Sequence, residues 1–332
     1  MRTLVLALLS LCTSSVYSQA IFADKVQGWK IQFPKRDLVA YSYKEVIDFR
    51  LNPAPKPGEA KVQATVSSAY QLVPLKDFIK FEDGLFYFDE LSIDALKATN
   101  ADGKNVPIEK LCGSYRERDI FHSDLKVCVV KFPLAEKGKP FSYTYTEQYR
   151  DVKFLTSFYF NHHIPAVERV VEFHIPNWLE VDLREFNFAG ANIEKSLKQE
   201  GDIKTVTFKM KDIDALPNES SAPNRALALP HVICVTKAFQ EGGARQPLFE
   251  NVKDLYAWYS SLTAQIGNKP EELKPQVDAL IAGKKTDIEK VESIFYWVQD
   301  NIRYIAFENG VMGFKPDAAQ NVLKNKYGDC KG

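Results

Sequence analysis

Between about Trp29 and Lys237 the chain alternates apolar and polar side chains with a period of two, the pattern of strands that bury one face. Ala60 to Val66 pairs small or apolar residues with polar ones. A turn is expected at Asp83-Gly84, with Phe86 to Phe88 extended after it. Leu91 to Ala98 and Val106 to Leu111 flank a second turn at Ala101 to Lys104, and Lys126 to Phe132 follows. In Phe141 to Tyr149, Phe141, Tyr143 and Tyr145 alternate with Ser142, Thr144 and Thr146, which predicts one buried aromatic face. Val167 to Ile175, Leu179 to Leu183 and Lys204 to Met210 complete the series. Short strands punctuated by Gly, Asp and Pro predict a large antiparallel β-sandwich.

The pattern dissolves between Asp214 and Pro230 into Pro, Asn, Ser and Ala, a linker or strap. Beyond it the period becomes helical. Asn251 to Ile266 and Glu271 to Ile281 are expected helices. Thr286 followed by Glu289 makes a capping box for a third, whose Ile288, Val291, Ile294, Phe295, Val298 and Ile302 share one face. Ile302 to Phe307 looks extended, and a short helix opens at Pro316, turning Ala319 and Val322-Leu323 inward. Strands first and helices last give an α+β chain, with a β-sandwich over 19–240 and a second domain over 241–332.

The first eighteen residues change the compartment. Arg2, the apolar run Leu4 to Leu11, and Val16 and Ser18 before Gln19 have the layout of a secretory signal peptide, residues 1–18. Its apolar run is too short to span a bilayer, and no later segment reaches the necessary length. The expected location is therefore exported, periplasmic or extracellular. Cys12 is not expected to carry a lipid, because Leu11 stands where a lipoprotein signal needs a small residue. Lys and Arg number 43 against 43 Asp and Glu, without basic runs, so no nucleic-acid footprint exists.

Cys112, Cys128, Cys234 and Cys330 lack the close pairing of a zinc site. A bridge between Cys112 and Cys128 is open to an exported chain. A turn between Phe121 and Leu125 would instead set Cys128 opposite Asp119, which favours buried free thiols. His162-His163 and His174 suggest a metal, with Glu168 and Glu172 nearby. Adjacent strand residues face opposite ways, however, and no metal or cofactor is assigned. His122 and His231 carry no partner pattern, and Trp29, Trp178, Trp258 and Trp297 read as core anchors.

Chemistry concentrates at the end. In Tyr327-Gly328-Asp329-Cys330, Gly328 suits a tight turn, Asp329 suits an N-cap, and Cys330 would stand where backbone amides favour a thiolate. That requires the Asp329 carboxylate to turn back onto those amides. Tyr304 reads as a core or packing residue, with an oxyanion role as the sharper alternative. Four features occur in order: Ile302-Arg303-Tyr304, Lys315-Pro316, Val322-Leu323 and Gly328-Asp329-Cys330-Lys331. The set resembles the bacterial transglutaminase-like superfamily. Upstream, Pro165 with Val167, Ile175-Pro176, Leu216-Pro217-Asn218-Glu219 and Pro230 resemble the domain of unknown function 3857 that precedes it in exported bacterial proteins. The resemblance implies a papain-like core, of which 241–332 would be the helical front, and a Cys-His-Asp triad with Cys330 as nucleophile. It also implies protein or peptide substrates for thiol acyl transfer or amide hydrolysis. In that family the His and Asp follow the Cys, and here only Lys331 and Gly332 do, so the chain as given is expected to be inactive. The rival reading is a non-enzymatic envelope binding or scaffold protein whose β-sandwich is the working module.

Overall fold

The structure is a computed structural model that describes residues 14–56, 59–118, 121–216, 222–308 and 310–331. The leader's Arg2, Leu4 to Leu11 and Cys12 lie outside the described residues. Helix α1 (Ser14–Gln32) comes first, followed by strands β1 (Leu38–Leu51), β2 (Val62–Pro74), β3 (Ile79–Tyr87), β4 (Leu91–Thr99), β5 (Glu109–Arg118), β6 (Phe121–Leu134) and β7 (Phe141–Tyr149). Next are β8 (Ser157–Tyr159), β9 (Ala166–Pro176), β10 (Leu179–Phe186), β11 (Ile193–Glu200), β12 (Ile203–Ile213), helix α2 (Arg225–Ala228), β13 (His231–Glu241) and β14 (Ala244–Pro247). Helices α3 (Val252–Thr263), α4 (Pro270–Ile281) and α5 (Asp287–Asn301) then lead to β15 (Arg303–Tyr304), α6 (Ala319–Asn325) and β16 (Tyr327–Gly328). The chain is mixed α+β and rich in strand. No described helix is long and apolar enough to cross a membrane.

The chain divides into two compact units, one holding most residues up to Glu250, the other Asn251 onward with Phe86–Asp89 and Cys112–Val127. In the first unit a seven-stranded sheet runs in the order β11-β12-β9-β1-β2-β7-β4. A smaller sheet, β10-β13-β14 with β8 also on β13, supplies the other layer. Ile47, Val66, Val171, Phe173, Val206 and Phe208 of the large sheet share one core with Phe158, Leu179, Val232, Cys234 and Phe239. The β7 alternation holds as read: Phe141, Tyr143 and Tyr145 are buried. Burial pushes the free Cys234 thiol up to about 12.

Four expectations need correction. The large sheet is not wholly antiparallel, because β1 pairs with β9 in parallel, Ala40 opposite Ala166 and Asp48 opposite His174. The chain between them is long enough for the crossover that parallel neighbours require. Trp29 is helical, not the start of the strand region. Phe22, Val26, Trp29 and Phe33 line one side of α1 and its end, and pack on Val39, Val73 and Leu75. Asp83-Gly84 lies inside β3, where Phe81 and Leu85 keep the alternation and the Tyr143 hydroxyl donates to Asp83 Oδ2 at 3.2 Å. Lastly, Cys112 and Cys128 are disulfide-bonded. Residues 121–125, expected to turn, lie within β6, which neighbours β5 in the sheet, so the premise that kept the two cysteines apart does not hold.

Candidate functional site

In the second unit, local rules set the frame around Cys330. The capping box of α5 forms as read: Glu289 N donates to Thr286 Oγ1 at 3.2 Å, and Thr286 N donates to Glu289 Oε2 at 2.9 Å. The helix stops at Ile302, and β15 then pairs in parallel with β16, Arg303 opposite Tyr327 and Tyr304 opposite Gly328. Helix α6 feeds β16 through Lys326, whose φ of 61° makes it the left-handed C-cap. Gly328 therefore does not supply the turn. It sits in β16 where an added Cβ would meet Val322 Cγ1 at 3.1 Å, so it serves the close packing of α6 on the strand. Gly313 is tighter still, with an added Cβ 2.5 Å from the Glu308 carbonyl oxygen.

The parallel pairing carries Tyr304 beside the motif. Cys330 is a free, exposed thiol, and the Tyr304 side chain is hydrogen-bonded to it. Partial desolvation raises the Tyr304 hydroxyl, and Cys330, Glu308 and Asp329 push it further, so the phenol keeps its proton and donates. Tyr304 is 46% exposed, which overturns its reading as a core residue. The Asp329 carboxylate is turned back as the motif requires. Its Oδ1 accepts from Lys331 N at 3.0 Å, and its Oδ2 is paired with Lys331 Nζ. The same ammonium donates to Phe307 O at 3.0 Å, tying the segment after β15 to the end of the chain. A thiol, a phenolic donor and a neutralised carboxylate are thus assembled. Sequence reasoning named Cys330 and Asp329 but not the Lys331 clamp, which links residues far apart in sequence. A cavity of about 570 Å³ lies among Asp300, Arg303, Ile305, Lys326 and Tyr327, and Cys330 is not among its lining residues.

The histidines serve elsewhere. His162 is packed edge-on to Tyr43 at 4.8 Å, and burial holds it well below the usual imidazole range. His163 faces Asp83 at 3.8 Å, and His174 lies between Asp48 and Glu172 at 2.8 and 3.0 Å. His231 is stacked between Tyr159 and Phe186. The His122 side chain lies outside the described ones. Among the described residues no three His, Cys, Asp or Glu side chains gather as metal donors.

Residues 86–217 match a family described as "Domain of Unknown Function with solved-structure structure (DUF3857)". No curated protein matches the chain. Among solved structures, a "putative protease" from Parabacteroides distasonis superposes with a TM-score of 0.56 at 15% identity, over 88% of this chain and 56% of that one. The chain thus spans little more than half of that protein's length, and the likeness is one of fold. A "putative nutrient binding protein" from Legionella pneumophila has a TM-score of 0.37 at 9% identity, over 79% of this chain and 87% of its own. An M1 zinc metallopeptidase from Deinococcus radiodurans has 0.31 at 12%, over 64% and 46%.

Proposed function

We propose that Cys330 is the nucleophile of a transglutaminase-like thiol acyl-transfer site in an exported protein. The observation that supports this most is the local assembly. Cys330 is exposed, Tyr304 is hydrogen-bonded to it, and Asp329 is held by the amide and ammonium of Lys331. In the reaction, sulfur attacks an amide carbonyl carbon, the C–N bond breaks, and the amine leaves with a proton, giving a thioester. Water or a second amine then attacks the thioester carbonyl and restores the thiol. A Tyr304 hydroxyl beside the sulfur suits either thiolate stabilisation or the oxyanion of the first step. Labelling of the thiol tests this reading directly, at the sulfur itself.

Cys330 is expected to react with iodoacetamide at pH 6 faster in the folded chain than in the same chain in concentrated urea. Cys234 should do the reverse, being buried when folded. Folded-state labelling of Cys330 no faster than in urea would remove the nucleophile reading.

A further inference from the structure

The inner face of the large sheet carries chemistry that the Cys330 site does not use. Strand register places Tyr43, Tyr70 and Tyr143 in one row across β1, β2 and β7. The next row is Glu45, Ser68 and Tyr145, and the one after it Ile47, Val66 and Glu147. Some of these polar groups are satisfied. Glu45 accepts from the Tyr43 hydroxyl and from Arg169, whose guanidinium lies 3.6 Å over the Tyr43 ring. Asp83 takes the Tyr143 hydroxyl and faces His163.

Two buried atoms of this cluster have no partner among the described residues, Ser68 Oγ and Arg169 Nε. The Ser68 hydroxyl, in a residue 2% exposed, has no hydrogen-bond partner among the described residues. It sits between Glu45 and Tyr145 and diagonal to Glu147. Tyr145 is also buried, and its surroundings are a desolvated pocket of other tyrosines and carboxylates. Glu147 is half-buried and meets desolvation, Glu45 and Asp83, all of which oppose its charge, so its carboxyl is pushed up to about 8. Beside them the rings of Tyr70, Tyr143 and Tyr145 form a wall, with centroids 5.6 to 6.5 Å apart. An unpaired buried hydroxyl costs stability, and Ser68 keeps one beside the uncharged-favouring surroundings of Glu147, which is the character of a recognition surface.

We propose that this face binds an organic ammonium group, with Glu147 as counter-ion, Ser68 and Tyr145 as hydrogen-bond acceptors, and the tyrosine rings as its apolar wall. A cation fits because three carboxylates converge there and the guanidinium of Arg169 is already paired with Glu45. Hydroxyls and aromatic faces suit N–H donors, whereas the three carboxylates do not gather closely enough to hold a metal ion among the described residues. The ligand class is a primary ammonium, whether a lysine side chain, a peptide N-terminus or a small amine. The site involves no part of the Cys330 region, so it stands or falls separately from the acyl-transfer reading.

The test is calorimetric titration of the 332-residue chain with n-butylammonium chloride, using sodium chloride and n-butanol as controls. Runs at pH 7 and pH 9, in two buffers of different protonation enthalpy, report the proton count. The ionisable groups facing the site are Glu45, Asp83, Glu147, Arg169, His162, His163 and Tyr43, Tyr70, Tyr143, Tyr145 and Tyr149. Saturable binding of the ammonium alone is expected, tighter at pH 9, with proton release at pH 7. Glu147→Gln should weaken it by roughly tenfold or more and remove most of that release, and Ser68→Ala should weaken it a few-fold. No saturable heat beyond the controls, or Glu147→Gln binding as well as the parent chain, would overturn the proposal.

Discussion

Glu147 makes the stability of the first unit depend on pH in a direction opposite to that of most carboxylates. Its ordinary value of 4.5 rises to about 8 in the fold, so folding takes up a proton between those limits. The protonated form's advantage is complete below about 4.5 and is lost as pH climbs through about 8. Melting temperature is expected to fall by several degrees from pH 5 to pH 9, and Glu147→Gln should flatten that slope in a thermal scan. Tyr304→Phe tests the contact with Cys330. Loss of one hydroxyl donor, worth about 1 kcal/mol, should slow Cys330 alkylation at pH 6 by about fivefold. Gly313→Ala should cost about 1–3 kcal/mol in chemical unfolding, because its Cβ would press on the Glu308 backbone. Single residues were unevenly legible. Cys330 stood out through its neighbours, but the need for Gly328 lay in the distance to Val322, which no local pattern encodes. Glu45 was invisible for a related reason: a carboxylate on the inward face of β1 looks like a solvent residue until Arg169 arrives from β9.

Elements with strictly local signals were read best. β7 has the bounds Phe141–Tyr149 that its alternation gives, and α5 forms on the Thr286 and Glu289 pair. Thr286→Ala should therefore destabilise the second unit by about 1 kcal/mol, seen as a lower urea midpoint at unchanged slope. β1 was harder, since Tyr43 and Glu45 put polar atoms on its buried face and interrupt the apolar rhythm. α1 carried a helical spacing in Phe22, Val26, Trp29 and Phe33, but it adjoins a leader-like run that draws the eye to export instead of packing. The β5–β6 hairpin hinged on where the reversal sits, and a shift of a few residues changes which cysteines can meet. The disulfide closes a loop of about fifteen residues, so its reduction should cost about 3 kcal/mol. Paired Cys112→Ser and Cys128→Ser substitutions should lower the melting temperature, and added reductant should then have no further effect.

Across the molecule, apolar burial is unequal. The first unit encloses well-buried apolar clusters, whereas Ile288, Val291, Phe295, Tyr296 and Val298 of α5 are 45% to 67% exposed. Val252, Leu255 and Tyr256 of α3 are similarly open. Exposed apolar surface on this scale promotes dye binding and association. The chain should bind an apolar fluorophore and sediment faster at high concentration, and Val291→Lys with Phe295→Lys should reduce both. The sequence shows the apolar stripe itself; which side of a stripe finds a partner is decided by three-dimensional packing.

The central pairing of β1 with β9 has a kinetic consequence. Asp48 and His174, which meet across it, are 126 positions apart, and β12 must add beyond β9 before that strand is flanked on both sides. A nascent chain emerging from the ribosome cannot finish its longest sheet until well over half of it has been synthesised. Such distant closures slow folding and leave open strand edges in the meantime. The same delay keeps the early segments unpaired, so a holdase chaperone would meet them before the sheet locks.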